Sequence, residues 1–412
     1  MANGKRSLLV LQTAYPMKFI KERGLEVYLE TKDPGKFFDT VITVNTVASL
    51  QDKGYLGEGP LYRQTLCGSR NIVIECGHSV PAFKGKFRKF GFLCSQIYFF
   101  FRFFSSLEWR NVKVIYSDDP NYNGIIGLLI SRILRKPLVV GIWGNPARIR
   151  ETTSKPLMPG LFRSKEAEAR VEKFVLLHAD ALQVQNAENG DYPISLGISR
   201  NKVSLLPLAV GIADFHFLEI NERESLDFNY DQKTLNIVCI SRLEEVKHVD
   251  HVIKSMALLK ASSSNLKLHL IGAGEKEREL RLLSKDLEID NQVVFHGAKS
   301  QEWISKFLPD MDLAIAPLTG RALLEIGLSG LPVVAYDVDW HNEIVIQNET
   351  GFLVEYRNIE QLSRVIEGFF ALPESKRLQI GENMRLKALS LCDRDSLNKS
   401  QNFFYNNLLI RL

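Results

Sequence analysis

Residues 313–354 read LAIAPLTGRALLEIGLSGLPVVAYDVDWHNEIVIQNETGFLV. Leu313–Ala316 and Pro332–Tyr336 are short apolar runs with no polar alternation, the pattern of strands buried on both faces. Between them Thr319-Gly320 makes a turn, Gly320–Leu328 reads as a helix, and Gly351–Val354 is one more strand. A strand, a helix and a parallel return is the unit of a sheet with helices on both sides. Working outward, the same alternation fills the second half of the chain, with strands at Asn236–Ile240, Lys267–Ile271 and Gln292–Phe295. Helices are expected at His248–Lys260 and Glu275–Leu287.

The first half repeats the scheme. Its strands are Ser7–Gln12, Thr40–Val44, Asn71–Glu75, Val112–Tyr116, Pro137–Ile142, Ala181–Gln185 and Val203–Leu206. Residues 83–107, Gly124–Leu134 and Glu166–His178 read as helices. With 412 residues, the chain exceeds what one core encloses, so two domains are expected, 1–205 and 206–385. A C-terminal helix, about 386–412, is free to pack back on the first. Two α/β parallel-sheet domains in tandem are expected to face a cleft. Ligands in such sheets bind at the carboxyl ends of strands, which selects the loops at 117–120, 143–146, 241–247, 272–275, 317–321 and 337–343.

Composition narrows the classes. Lys and Arg total 52 against 48 Asp and Glu, a net charge of +4, and 45% of residues are hydrophobic. Disorder and an extended nucleic-acid-binding face are excluded. The charge is local. Residues 81–110 hold Lys84, Lys86, Arg88, Lys89, Arg102 and Arg110 against Glu108, a net +5, which leaves −1 for the remainder. Nine of the 24 phenylalanines lie in the same window. Basic residues followed by FGFLCSQIYFFFRFF suit an anionic membrane surface met through 83–104, or equally a buried amphipathic helix. The five cysteines are odd in number and lack CxxC spacing, which points away from disulfides and zinc and toward a reducing cytoplasm. The N-terminal LLVL run is too short for a signal peptide, and no run is long enough to span a bilayer.

Several loops carry candidate chemistry. Arg242, just after a strand, and Lys247, at a helix start, can converge on one anion such as a diphosphate. A solvated turn pairing them with Glu244 and Glu245 is the plainer use. Gly272 and Gly274 allow close backbone approach to a ligand, or simply a tight turn. Thr319, Gly320 and Arg321 open a helix whose amides can receive phosphate or sugar oxygens. Glu325 is a carboxylate in an apolar run, matched either by a ribose diol or by Arg321 at i,i+4. His341 and Glu343 are candidate contacts to substrate hydroxyls, with helix capping as the alternative. Asp337 and Asp339 have no third ligand, so no metal site is assigned. His248 and His251 are expected on a helix surface, and His269 and His296 read as structural. On the first-domain side, Asp118, Asp119, Asn123, Trp143 and Asn145 stand at strand ends where an acceptor could lie.

In order and spacing, SRLEEVKHVDHVI, LHLIGAGEKEREL, VVFHGAKSQEWISKFLPDMDLAIAP and ALLEIGLSGLPVVAYDVDWHNEIVIQNETGFLV resemble the retaining glycosyltransferases of the GT-B fold, family 4. Residues 172–207 are similar to the last helix and strand of that family's first domain. The resemblance implies two Rossmann-like domains, and with the cysteines and the basic window at 81–110 the expected place is the cytoplasm, peripheral at the inner face of the membrane. It implies transfer of a sugar from a UDP- or GDP-linked donor to a hydroxyl of a lipid-linked glycan or cell-surface polysaccharide. No cofactor or metal is required by it. Arg242 and Lys247 would bind the diphosphate, and Glu325 would match the second glutamate of a Glu-x7-Glu element. This chain departs from the pattern: Pro317 stands where the first glutamate would be, Thr13-Ala14-Tyr15-Pro16 replaces an early Gly-Gly loop, and Trp143 replaces a frequent histidine. A hydrolase or epimerase of the same fold, or an inactive sugar-nucleotide-binding protein, are the alternatives.

Overall fold

The computed structural model describes residues 5–12, 17–23, 26–47, 61–76, 88–158, 161–219, 222, 226, 234–259 and 265–410. The chain divides into two units, 1–210 with 394–412, and 211–393. The sequence-based division at 205 lies a few residues earlier.

Unit 1 begins β1 (Ser7–Gln12), α1 (Met17–Arg23), β2 (Thr40–Asn45), β3 (Arg63–Cys67), β4 (Asn71–Glu75), α2 (Arg88–Ser106), β5 (Val112–Ser117) and α3 (Tyr122–Leu134). It continues β6 (Leu138–Ile142), α4 (Pro146–Thr153), α5 (Lys165–His178), β7 (Ala181–Val184), α6 (Ala187–Ser195) and β8 (Val203–Leu205). The sheet order is β3-β4-β2-β1-β5-β6-β7-β8. Successive side chains of a strand point to opposite faces. Accordingly Leu9 and Leu11 of β1 enter one core with Phe99, Phe103, Ile130 and Val175 from α2, α3 and α5. Leu8 and Val10 enter the other, which is closed by Tyr405 and Leu408. β3 is antiparallel to β4 and was not expected from the sequence. Its RQTLC is mostly exposed at the sheet edge, so it lacks the apolar run that marks its neighbours.

Unit 2 holds β9 (Leu235–Ile240), α7 (Val249–Leu259), β10 (Leu266–Ile271), α8 (Glu277–Asp286), β11 (Val293–Gly297), α9 (Gln301–Phe307) and β12 (Leu313–Ala316). It ends with α10 (Ala322–Leu328), β13 (Val333–Tyr336), α11 (His341–Ile344), β14 (Gly351–Val354), α12 (Ile359–Ala371) and α13 (Glu374–Leu391). All six strands are parallel, in the order β11-β10-β9-β12-β13-β14. The winding reverses between β9 and β12, so their carboxyl ends flank the point where such sheets take ligands.

The expected helix at 386–412 is corrected to two pieces. α13 remains with unit 2, where Ile380, Met384 and Ala388 are buried. A final helix, α14 (Arg394–Ile410), covers the first sheet. Gly381 explains the tightness of the α13 contact, because a Cβ there would stand 2.2 Å from the Gly330 carbonyl oxygen.

Candidate functional site

Three loops of unit 2 meet beside the β9–β12 switch. The loop after β9 lies against the loop after β10 through Leu243 N–H to Ala273 O (3.0 Å) and Lys276 N–H to Leu243 O (2.9 Å). Glycine is required for this approach. A Cβ at Gly272, whose φ is +145°, would be 1.8 Å from the Ser241 carbonyl oxygen, and one at Gly274 would be 2.3 Å from that of Leu243. The Gly-x-Gly pair thus serves loop-on-loop packing beneath Arg242. The Arg242 guanidinium is half exposed and meets Glu244 at 2.5 Å, the pairing anticipated for a solvated turn. Lys247 ends a 3-10 turn, Glu245–Lys247, and its Nζ donates to the Leu318 carbonyl at 3.1 Å. Burial, then the nearby Arg242 charge, push the Lys247 ammonium down to about 8, against opposing effects of Glu244 and Asp339. The Arg242 charge therefore lies near enough to disfavour the Lys247 ammonium.

The loop after β12 is braced by the loop after β13. His341 is fully buried. Its Nδ1 donates to the Tyr336 carbonyl (2.8 Å), which leaves Nε2 to accept the Thr319 N–H at 3.1 Å. Burial pushes the His341 pKa down and keeps the ring neutral. Trp340 Nε1–H donates to the Thr319 carbonyl at 3.1 Å. His341 is a backbone brace, in place of the expected contact to a substrate hydroxyl. The Thr319 hydroxyl, by contrast, is buried with no hydrogen-bond partner among the described residues. Gly320 is exposed with open space at its Cβ position. The helix that follows, α10, is only seven residues long. The amides of Leu323, Leu324 and Glu325 already bond to the Gly320 and Arg321 carbonyls.

Glu325 is buried, and its Oε1 accepts from Gln301 Nε2 at 3.0 Å and lies 3.7 Å from Arg321 Nε. Burial raises its pKa while Arg321 opposes the shift. The i,i+4 partner considered from sequence is present. Gln301, 24 residues earlier at the start of α9, is a partner that spacing could not show. Glu343 is half-buried on α11.

His248 and His251 depart from the surface placement expected of them. His248 is buried with φ +51°, and its Nε2 meets the Tyr356 hydroxyl at 2.8 Å. His251 Nδ1 meets the Tyr336 hydroxyl at 3.0 Å, and Asp250 accepts from Lys254 at 2.7 Å. With Asp250 between them, these are the one group among the described residues with three potential ligand atoms within 4.8 Å of each other. His269 and His296 are coupled at 2.9 Å, with His269 also on Asn236 at 3.1 Å.

In unit 1, Asp118 follows β5 and is buried against Lys32 Nζ (2.7 Å), Trp143 Nε1 (2.6 Å) and the Tyr28 hydroxyl (3.2 Å). The Lys32 ammonium also lies 3.5 Å from the centre of the Trp143 ring. Burial pushes the Lys32 pKa down and Asp118 raises it. Lys32 and Tyr28 gave no signal in the sequence, lying about ninety residues from Asp118. Asp119 organises the start of α3, accepting from the Asn121 N–H at 2.9 Å and from Asn123 Nδ2 at 2.5 Å. Burial pushes the Asp119 carboxyl up to about 6. Asn123 also accepts from the Thr46 hydroxyl at 2.6 Å. Asn145 caps α4, its side chain accepting from the Ala147 and Arg148 amides. The Thr13–Pro16 loop, Lys84 and Lys86 lie outside the described residues.

Residues 221–387 match the family model described as Glycosyl transferases group 1. The chain is 28% identical over 159 residues to a poly(glycerol-phosphate) alpha-glucosyltransferase of Bacillus subtilis, covering 34% of this chain and 23% of that protein. It is 22% identical over 326 residues to an alpha-monoglucosyldiacylglycerol synthase of Streptococcus pneumoniae, covering 74% of this chain and 69% of the relative. The chain thus spans less than a quarter of the first of these relatives. Among solved structures, a sucrose-phosphate synthase from Thermosynechococcus elongatus superimposes with a TM-score of 0.76 at 15% identity, over 99% of this chain and 100% of that one. HepE of Anabaena, in complex with UDP-glucose, gives a TM-score of 0.68 at 16% identity, over 97% and 99%. At such identities the likeness is one of fold.

Proposed function

We propose that this chain, a GT-B protein whose residues 221–387 belong to the glycosyl transferases group 1 family, moves a sugar from a nucleoside-diphosphate sugar to an acceptor hydroxyl with retention. The observation that carries the reading is the placement of Arg242 and Lys247 in the loop after β9, at the β9–β12 switch, with Lys247 Nζ on the Leu318 carbonyl of the loop after β12 and its ammonium disfavoured by burial and by the Arg242 charge. A diphosphate there supplies the negative charge that favours the Lys247 ammonium, and both cations stabilise it. As the bond from the sugar C1 to the β-phosphate oxygen breaks, negative charge grows on the diphosphate, where the two cations are already placed. The acceptor oxygen bonds to C1 from the same face and gives its proton to the departing diphosphate. In this reading no metal is needed.

The donor class is supported by HepE having been solved with UDP-glucose. A lipid-linked or membrane glycan acceptor is supported by the likeness to a diacylglycerol glucosyltransferase. The base, UDP or GDP, is the part of the reading for which a donor panel is the measure. With the donor that turns over, Arg242→Ala and Lys247→Ala each lower kcat by about 100-fold or more while melting is unchanged. Wild-type rates in both variants would sink the assignment. A second reading, sugar-nucleotide binding without transfer, is favoured by Pro317 standing eight positions before Glu325 where the family has glutamate. Product analysis separates the two, a new glycosidic linkage against free sugar, an isomerised donor or no turnover.

A further inference from the structure

The side of a helix that meets water is ordinarily polar. Three helices of unit 1 break that rule together. α2, α3 and α5 cover the same face of the first sheet, sharing one core. They are also joined laterally. The Tyr122 hydroxyl of α3 donates to Gln96 of α2 at 2.7 Å, and a Cβ at Gly124 of α3 would stand 2.8 Å from Val175 of α5. Away from the sheet, α2 presents Ile97 and Phe101, exposed by 62% and 71%. Leu129 and Ile133 of α3 are exposed by 55% and 68%, and Phe174 of α5 by 53%. Six such side chains on α2, three on α3 and two on α5 are eleven of the 21 exposed large apolar residues among the described ones. Scattered exposure is ordinary in a soluble protein, whereas concentration on one layer marks a docking surface.

The charges on this layer decide its partner. Arg102, Arg132, Arg135 and Lys173 are exposed among the apolar residues, against Glu108 and Glu166. No helix among the described residues is long and apolar enough to cross a membrane. Apolar side chains set among cations match an interface of acyl chains and anionic headgroups.

We propose that the outward faces of α2, α3 and α5 form one surface that docks on an anionic lipid bilayer, broader than the phenylalanine-rich window alone. The inference does not rest on sugar transfer, and donor binding by the same variants is an independent measurement. The test is sedimentation of the full chain with phosphatidylcholine vesicles, with and without phosphatidylglycerol. Leu129→Glu/Ile133→Glu, on α3, is expected to lower partition onto the phosphatidylglycerol vesicles by about tenfold or more, as Ile97→Glu/Phe101→Glu does. Leu378→Glu/Leu386→Glu, exposed on α13 of unit 2, leaves partition unchanged. Melting curves report folding, and Leu129→Ser/Ile133→Ser supplies the reading if the charged pair unfolds. Wild-type partition by the folded α3 variant overturns the three-helix surface. Equal binding to vesicles lacking phosphatidylglycerol overturns the anionic preference. A dimer dispersed by the α3 pair, with no sedimentation on vesicles, assigns the face to a second copy and overturns the proposal.

Discussion

Lys247 couples its position to a measurable titration. Pushed down to about 8, it is charged near pH 7 and mostly neutral near pH 9. On the proposed function, a diphosphate would bind the charged form and raise the lysine pKa, so binding would take up a proton above pH 8. Affinity for the nucleoside diphosphate therefore falls as pH rises through about 8, by up to about tenfold per pH unit. In Lys247→Arg the inflection disappears, because guanidinium does not titrate there. Calorimetric titration with the diphosphate across that range checks it, and a flat wild-type profile contradicts it. Lys32 and Asp118 make a second residue-scale case, a buried pair with side chains only 7% and 8% exposed. Removing one partner leaves a buried charge alone. Lys32→Met should cost about 3–5 kcal/mol of unit 1 stability, with most of it recovered in Lys32→Met/Asp118→Asn, read by urea unfolding. Equal stability of wild type and single variant would show the pair to be solvated.

At the scale of elements, the loops of unit 2 were legible wherever the chain needed a special backbone. Gly272 and Gly274 announced a close approach, but sequence left open what approaches. The answer is the neighbouring loop at 241–243. Gly272→Ala places a methyl on a carbonyl oxygen at positive φ, and Gly320→Ala meets open space. The first is expected to destabilise by more than about 1 kcal/mol and to displace Arg242. The second should leave melting unchanged within error, and thermal denaturation of both variants distinguishes them. Strands of continuous apolar residues were readable because burial on both faces leaves no choice of side chain. β3 was not, because an edge strand faces solvent and its hydrogen bonds carry no side-chain signature. His341 shows the same limit. Its residue type suggested substrate contact, and only the fold reveals that both ring nitrogens hold backbone.

For the whole molecule, the return of α14 to unit 1 joins the chain's end to its first strands. Tyr405 is fully buried, its hydroxyl on the Lys32 carbonyl at 2.6 Å, and Gln401 reaches the same oxygen at 3.1 Å. Tyr405→Ala should destabilise unit 1 by about 3–5 kcal/mol, seen as faster proteolysis of 1–210 than of 211–393. Equal rates for wild type and variant would show α14 to be dispensable. The sequence alone determined two α/β units, the positions of their apolar strands, and the placement of Arg242 and Lys247 in the loop after a strand, because periodicity, glycine and charge are local properties. Only the tertiary structure decided which groups partner the candidate residues. Gln301 on Glu325, Lys32 on Asp118, and α3 and α5 beside α2 are partners far apart in sequence. Their contacts arise from how the sheets wind and which helix faces are left uncovered, and no local pattern encodes that.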